Sequence, residues 1–220
     1  MPSKAYEKLQ ENRKDLDILW SFHEEKSGDA PGRKFGVEPL NKAVVVFVCA
    51  LWGAYCEDVV AEAIDLLAAD CNDPNLLPKE LRKHIAAQIK GDKNDLAVWQ
   101  LAEAGWKLVL KNNATKFTKD LTGRWNTPKS LPVQELFLKA LGIKDITANW
   151  SWRNSDSYST RRRLDEFVGL RGGIAHRLVG EESVHKAHGT DFFTHIERIA
   201  TIVDASVRDL HFSATNKHYW

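Results

Sequence analysis

Arg171 and His176 are separated by four residues in the segment 171–176, which reads Arg-Gly-Gly-Ile-Ala-His. An arginine is permanently charged, and its planar fork of N–H donors fits the oxygens of a phosphate group. A histidine changes its protonation state near neutral pH, so its ring can remove or deliver a proton. Together, the two side chains could supply both functions that cleavage of an RNA phosphodiester requires. Because a pair at this spacing often arises by chance, the surrounding sequence must decide its meaning.

The elements that would position this pair are helices. Apolar residues recur at helical spacing along the whole chain, and alternation with a period of two persists nowhere. The run from Val44 to Val48 could pass for a buried strand, but its apolar pattern continues through Val60 and exceeds a normal strand length. Helices are predicted over about 5–25, 39–69, 79–90, 95–121, 131–141 and 191–211. The fold class is therefore predicted to be all-α, with a bundle of four to five main helices and additional short helices.

The spacing of the pair demands a special arrangement. Residues five apart on a straight helix lie about 140° apart around its axis, so Arg171 and His176 would not share a face. A helix end, a kink or a second copy of the chain would bring them together. Gly172 and Gly173 favour a helix end or a close backbone approach, because each glycine costs roughly 1 kcal/mol inside a helix.

The length and composition predict one soluble globular domain. The chain has 220 residues, of which 43% are hydrophobic and 28% are charged, and this is enough for one sizeable core. The domain is predicted to span 1–220, with an N-terminal helix and loop over 1–36, a core over 37–212 and a tail over 213–220.

The sequence favours a cytoplasmic protein without a membrane segment. The N-terminus has no apolar signal region, and the apolar run from Ala43 to Ala54 is shorter than the roughly 18–20 residues of a membrane span. Cys49, Cys56 and Cys71 form no C-x-x-C pair. An odd number of thiols at core-like positions indicates a reducing compartment.

The segment around the pair is basic. Between Thr160 and Arg177, five arginines stand against two carboxylates, which gives a net charge of +3. A phosphate backbone responds to such local charge rather than to the net charge of the protein. The triple arginine and the last residue of the segment are therefore candidate phosphate contacts, with solvated helix surface as the alternative. These candidates are Arg161, Arg162, Arg163 and Arg177.

The run from Arg161 to His176 resembles the signature of the HEPN superfamily (higher eukaryote and prokaryote nucleotide-binding). The match is closest to the RiboL-PSP-HEPN group, in which a leucine-rich helix is followed by Arg-x-x-Ile-Ala-His. Weaker similarity extends over about 39–210, and only the Arg-to-His block is specific. The resemblance implies an HEPN-like bundle and a homodimer in which two such motifs face each other in one cleft.

The activity that this resemblance implies is metal-independent endoribonuclease cleavage, with RNA as substrate and no cofactor. The ribose 2′-OH would attack phosphorus, His176 would transfer the proton, and Arg171 would stabilise the developing negative charge. Glu57, on the long apolar helix, would orient Arg171 or His176, or would simply face solvent. The resemblance also implies a setting in defence, in a toxin–antitoxin pair or beside RNA repair. An antitoxin or other regulatory partner is left open.

Tryptophans and histidines supply the remaining candidates. Trp150 and Trp152 lie in a polar loop before the amphipathic helix that is predicted to lead into Arg171, here called the motif helix, and are candidates for stacking on RNA bases. Trp99 and Trp106 are seven residues apart and are predicted to pack in the core. Three histidines of the C-terminal part come without a cysteine pair or a Glu-His helix signature, so no metal site is predicted. They are His185, His188 and His195.

Two readings compete with a nuclease. Family patterns often have a polar asparagine directly after the motif arginine, and this chain has Gly172 there. The first alternative is therefore a catalytically silent HEPN module that binds RNA or another protein. The second is a purely structural helical adaptor, in which Arg171 and His176 tie the motif helix to a neighbour through a carboxylate such as Glu57.

Overall fold

The computed structural model describes residues 2–28, 36–123, 127–176 and 183–217, apart from the side chains at positions 113, 115, 116 and 176. Within these ranges the chain is all-α and contains no β-strand, which confirms the predicted fold class. Two short 3₁₀ helices occur at Pro74–Leu76 and Ala97–Leu101. The α-helices described are α1 (Lys4–Glu11), α2 (Arg13–Ser27), α3 (Glu38–Asp70), α4 (Lys79–Gly91), α5 (Gly105–Thr122), α6 (Ser130–Leu141), α7 (Ser157–His176) and α8 (Lys186–Thr215).

Two segments that were each predicted as one helix are divided in the structure. The first divides at Asn12, whose side-chain amide donates to the Lys8 carbonyl at 2.9 Å and competes with the helical backbone. The second is a 3₁₀ helix, a turn in which Glu103 has a φ of 50°, and then α5. The division also overturns the prediction for Trp99, which is 72% exposed in the 3₁₀ helix, whereas Trp106 is buried.

Helix α3 is the centre of the fold. Its 33 residues pack against α1, α2, α5, α6, α7 and α8. Pro39 lies in its first turn, where the missing N–H has no partner to lose. As a whole, α3 is long and apolar enough to cross a membrane, but more than half of its most apolar window is buried inside the fold. This burial is typical of the core helix of a globular domain.

Helices α7 and α8 lie side by side against α3, and α7 carries the basic segment as far as His176. On α7, Leu164 and Val168 are fully buried and attach the helix to the core. The carboxylate of Asp165 accepts hydrogen bonds from the backbone N–H and the hydroxyl of Ser130 at 2.7 and 2.8 Å, which fixes α7 to the start of α6. Helix α8 contributes Ile196 to the core beside α7, and the same stripe continues along its length. The first half of α7 is therefore firmly held.

Candidate functional site

Helix α7 runs through the motif without interruption. Gly172 and Gly173 are both helical, and the helix extends to His176. Of the two arrangements that the glycines favoured, the helix end is therefore wrong, and the close backbone approach stays a prediction. Their intrinsic cost is offset by the packing of the helix on either side, where Val168 and Ile174 contact the core. Arg171 and His176 consequently lie about 140° apart around the α7 axis.

Arg171 lies on the side of α7 that faces α3. It is partly buried and continues the stripe that Leu164 and Val168 begin. Its positive charge acts on the thiol of Cys49, which is 3% exposed on α3. Burial raises the pKa of Cys49, and the charge of Arg171 opposes that rise. Within the described residues Arg171 has no hydrogen-bond or ion-pair partner, so its N–H donors are available to an anion from outside.

The other half of the motif is described less completely. His176 is the last residue of α7, and its side chain lies outside the described part of the structure. Arg177 lies entirely outside the described residues. The backbone of α7 nevertheless places His176 on the same side as Gly169 and Gly173, which are exposed. A Cβ atom added at either glycine would meet no heavy atom of the described residues within 4 Å, so this side of α7 is open within the described structure.

Glu57 is partly buried on α3, beside Cys56. No described hydrogen bond or ion pair joins Glu57 to Arg171. The distance along α3 accounts for this, because Glu57 lies eight residues, or about 12 Å, from the Cys49 thiol on which Arg171 acts. Among the described residues of a single copy, no contact with Arg171 supports the predicted orienting role of Glu57, and the side chain of His176 lies outside that part of the structure.

The triple arginine is spread around α7, and each member has its own environment. The Nε of Arg161 donates to the Ser157 carbonyl at 3.2 Å, within the first turns of the helix. Arg162 is exposed and pairs with Glu166 one turn later, at 3.3 Å. Pairs of this exposed kind contribute little to stability and exchange readily with solvent or a ligand. The predicted role of these arginines in phosphate binding stays a prediction.

Arg163 points toward α8 rather than away from the protein. Its terminal nitrogen lies 3.2 Å from a carboxylate oxygen of Asp191, and its guanidinium lies 5.5 Å from the centre of the Phe167 ring. Both contacts restrict the side chain, so Arg163 forms part of a defined surface between the two helices.

The prediction that Trp150 stacks on RNA bases is wrong for this structure. Trp150 is 0% exposed and packs edge-on against Trp52 of α3, with ring centres 6.1 Å apart. The polar composition of the loop concealed this burial, because the turn that precedes Trp150 directs its ring into the core. Trp150 is therefore a core residue.

Trp152, by contrast, borders a cleft of about 310 Å³ between the loop, α7 and α8. Its backbone pairs with Ser155 in both directions, at 2.9 and 2.8 Å, so the loop is a tight and well-fixed turn. The ring of His195 meets Trp152 edge-on at 5.5 Å, and the guanidinium of Arg198 lies over Trp152 at the same distance. The candidate stacking residue is thus accompanied by cationic and imidazole groups.

His195 forms the floor of this cleft and is 5% exposed. Its Nε2 lies 2.9 Å from the carbonyl of Thr160 and donates to it, because a carbonyl only accepts. Burial lowers the pKa of His195, the bond to Thr160 opposes this, and the charges of Arg163 and Arg198 lower it further. The ring is therefore held in its neutral form, and the positive charge of the cleft comes from the arginines.

Sequence reasoning missed the contribution of α8 to this cleft. Four polar residues recur on α8 at the spacing i, i+3, i+4 and i+7, which places them on one face of the helix. This spacing was the signal that the sequence contained. By itself it did not identify a cleft, because it accompanies the apolar stripe of α8 and lies outside the motif on α7. The four residues are Asp191, Thr194, His195 and Arg198.

The other two histidines of this part of the chain belong to the start of α8. The backbone N–H of His185 donates to Nδ1 of His188 at 3.0 Å, and the two side chains complete a reciprocal cap. This bond satisfies a backbone donor at the helix N-terminus. In the ranges that the structure describes, no group of three histidine, cysteine, aspartate or glutamate side chains is arranged to hold a metal ion.

Comparison with known proteins gives one family match. The model of the RiboL-PSP-HEPN family matches residues 7–209, which covers the motif on α7 and nearly all of the helical bundle. No curated protein and no solved structure matches the chain. Since the family model covers far more than half of the sequence, the chain belongs to the RiboL-PSP-HEPN family.

Proposed function

We propose that this protein is an endoribonuclease that cleaves RNA with Arg171 and His176. The observation that carries the proposal is the state of Arg171, a partly buried cation with no partner among the described residues, five positions before a histidine on one continuous helix. A partly buried guanidinium without an ion-pair partner can bind an anionic ligand, and every phosphodiester of RNA carries a negative charge. Membership of a family that includes ribonucleases supports the choice of RNA.

The proposed reaction needs only groups that the chain and the RNA supply. His176 removes the proton from a ribose 2′-OH, and the resulting oxygen attacks the adjacent phosphorus. The bond from phosphorus to the 5′-oxygen breaks, and that oxygen leaves as a 5′-OH after it receives a proton from an imidazolium. The other product ends in a 2′,3′-cyclic phosphate. Arg171 stabilises the negative charge that develops on the non-bridging oxygens.

The geometry of α7 supports a site shared by two copies of the chain. With about 140° between them on one helix, Arg171 and His176 of a single copy diverge from a common phosphate. The open surface at Gly169 and Gly173 leaves room for a second copy to approach the backbone of α7 closely. In such a homodimer one histidine acts as the base and the other as the acid, and the two arginines flank the scissile phosphate.

Cleavage of purified RNA by the wild-type protein in EDTA tests the proposal. We expect products with cyclic phosphate or 3′-phosphate ends and a 5′-OH, and no cleavage of DNA, which lacks the 2′-OH. The variants Arg171→Ala and His176→Ala should each lose at least about 100-fold in rate. Their helix content, measured by circular dichroism, should remain that of the wild type. Unchanged cleavage by the His176→Ala variant would contradict the assignment.

A catalytically silent HEPN module is the second candidate function. The specific observation in its favour is Gly172, which provides no side chain next to Arg171 where family patterns often have an asparagine. This candidate predicts RNA binding that weakens with salt and shows no cleavage by the wild-type dimer. The same assay therefore separates the two functions.

The proposed setting is the cytoplasm, in a defence system, a toxin–antitoxin pair or a system linked to RNA repair. Family membership supports this setting, and the three buried free thiols suit a reducing compartment. An unrestrained ribonuclease would damage the RNA of its own cell, so we expect a regulatory partner. An antitoxin that covers the open side of α7 near Gly173 would suffice, because it would block both the dimer and the site.

A further inference from the structure

The cleft between the 152–155 turn, α7 and α8 is lined by two arginines and one carboxylate. Arg163 enters from α7, Arg198 enters from α8, and Asp191 lies near the first of them. Burial and the charges of the two arginines lower the pKa of His195 at the floor, and its hydrogen bond to the Thr160 carbonyl opposes that shift without reversing it, so the ring adds no positive charge. The cleft therefore carries a net charge of +1, and this charge is concentrated on Arg198.

Arg198 is positioned by a neighbouring aromatic ring, and its N–H donors remain available to a ligand. Its guanidinium lies over the Trp152 ring at 5.5 Å, and no other described residue forms an ion pair or a hydrogen bond with it. A cation–π contact uses the charge of the guanidinium and occupies none of its N–H donors. These donors match two oxygens of a phosphate group, and the contact with the ring reduces the conformational entropy that binding must cost.

Arg163 is a weaker contributor in the same cleft. It is held by Phe167 beneath its face and by Asp191 at 3.2 Å, so part of its charge is already neutralised. Thr194 stands on the same face of α8 and lines the cleft with a hydroxyl group. The cleft thus offers the guanidinium of Arg198, which is unpaired among the described residues, the partly neutralised guanidinium of Arg163 and the hydroxyl of Thr194. A singly charged phosphodiester can bind to all three groups.

The position of the cleft links it to the motif. Arg163 precedes Arg171 by eight residues on α7, which corresponds to about 12 Å along the helix axis. A single strand of RNA whose scissile phosphate lies at Arg171 therefore has further phosphates within reach of the cleft. The aromatic ring of Trp152 at the rim also provides a surface for a base, which a site for a simple inorganic anion would not need.

We propose that this cleft is a phosphodiester subsite that holds the RNA strand away from the scissile bond, with Arg198 as the principal contact and Arg163 and Thr194 as supporting contacts. The inference rests on the proposed function, because it assumes that RNA is the ligand of the motif. The subsite reads charge and shape rather than sequence, since its contacts are with phosphate groups and, at Trp152, with the flat face that every base presents.

The test is the binding of a short 2′-O-methyl oligoribonucleotide, which cannot be cleaved because its 2′-oxygen is blocked. Fluorescence anisotropy in EDTA would compare the wild type with Arg198→Gln and with Arg208→Gln. Arg208 is a matched control, because it is a partly exposed arginine on the same helix whose one ion pair with a described residue is the distant contact to Asp209 at 4.0 Å. We expect Arg198→Gln to weaken binding about 10-fold and Arg208→Gln to change it less than about twofold.

The salt dependence gives an independent readout. Loss of one phosphate contact should reduce the slope of log Kd against log salt concentration by about 0.7 in Arg198→Gln. Arg163→Gln should have a smaller effect than Arg198→Gln, because Asp191 already neutralises part of its charge. Arg198→Lys keeps the charge and should restore the slope, but it should not restore the full affinity that the fork provides.

The outcomes separate this proposal from the proposed function. Equal binding by Arg198→Gln and Arg208→Gln would overturn the subsite even if the wild type cleaves RNA. Arg198-dependent binding without any cleavage would support the subsite and overturn the nuclease. Saturable binding of adenosine 5′-monophosphate that requires Arg198, combined with RNA binding that does not, would show a mononucleotide site and overturn the RNA subsite.

Discussion

Replacement of Arg171 by methionine should stabilise the fold while it abolishes RNA cleavage. Arg171 is partly buried on the α3-facing side of α7, near Cys49, without an ion partner among the described residues. Methionine has a similar length and removes a charge whose desolvation nothing described offsets. Full burial of a methionine side chain stabilises by about 1.5–3 kcal/mol, so partial burial here should contribute about 1 kcal/mol.

The free energy of unfolding would be measured by urea titration, followed by circular dichroism at one fixed protein concentration because a dimer links stability to concentration. A gain of about 1 kcal/mol should also raise the melting temperature by roughly 2–4 °C for a chain of this size. Arg162→Met is the matched control on the same helix, since Arg162 is exposed and, among the described residues, pairs only with Glu166. Its stability should change by less than about 0.5 kcal/mol.

The opposite result would refute the reasoning. If Arg171→Met loses more than about 1 kcal/mol while Arg162→Met does not, Arg171 has a stabilising partner and serves the fold. The structural-adaptor interpretation predicts that loss, and the nuclease interpretation predicts the gain. The sign of one free-energy difference therefore distinguishes the two.

Three further predictions follow from the described contacts. Trp150→Phe should lower the free energy of unfolding by about 1–2 kcal/mol and leave the affinity for a 2′-O-methyl oligoribonucleotide unchanged, because the ring is in the core; a selective loss of affinity in anisotropy would contradict this. The pKa of His195 is lowered in the folded state. Below about pH 6.5 the ring is therefore protonated in the unfolded state but still neutral in the folded state, so the free energy of unfolding decreases as the pH falls toward the folded pKa. Urea titrations at pH 7.5 and pH 5 should show a larger loss on acidification for the wild type than for His195→Gln, and equal losses would count against the buried neutral ring. Gly173→Leu should keep or raise the helix content, since its Cβ meets open space, but should reduce both the dimer fraction in light scattering and the rate of RNA cleavage; an intact dimer would place the interface elsewhere.

The helical fold could be predicted from the sequence because its signal is local. Apolar residues at helical spacing located α3, α4 and α6 to within one residue at each end, whereas α8 begins five residues earlier and ends four residues later than predicted. The breaks at Asn12 and near Glu103 were not predicted, since each depends on one side-chain or backbone conformation within an otherwise helical pattern. Trp99 illustrates the consequence, because a spacing of seven residues places two side chains on one face only if the helix between them is continuous.

The candidate site could be predicted only in part. The choice of Arg171 and His176 as candidate residues followed from residue chemistry and family resemblance; the family match over 7–209 supports that resemblance, and their catalytic role stays a prediction. The loop composition could not distinguish Trp150, a core residue, from Trp152, which borders the cleft. Their difference in burial depends on where the turn directs each ring. The partnership of Arg163 with Arg198 required the packing of α7 against α8, and no pattern within α7 contains that information.

The most direct test of a shared Arg171–His176 site is a titration of the wild-type protein with the inactive Arg171→Ala/His176→Ala double variant. Total protein would be kept constant, subunit exchange would be verified by native mass spectrometry, and RNA cleavage would be measured in EDTA. If each site needs both copies, only wild-type dimers cleave, so activity falls with the square of the wild-type fraction and an equal mixture retains about a quarter. A linear decline, with about half of the activity in the equal mixture, would contradict the shared site, and the absence of cleavage by the wild type alone would contradict the nuclease itself.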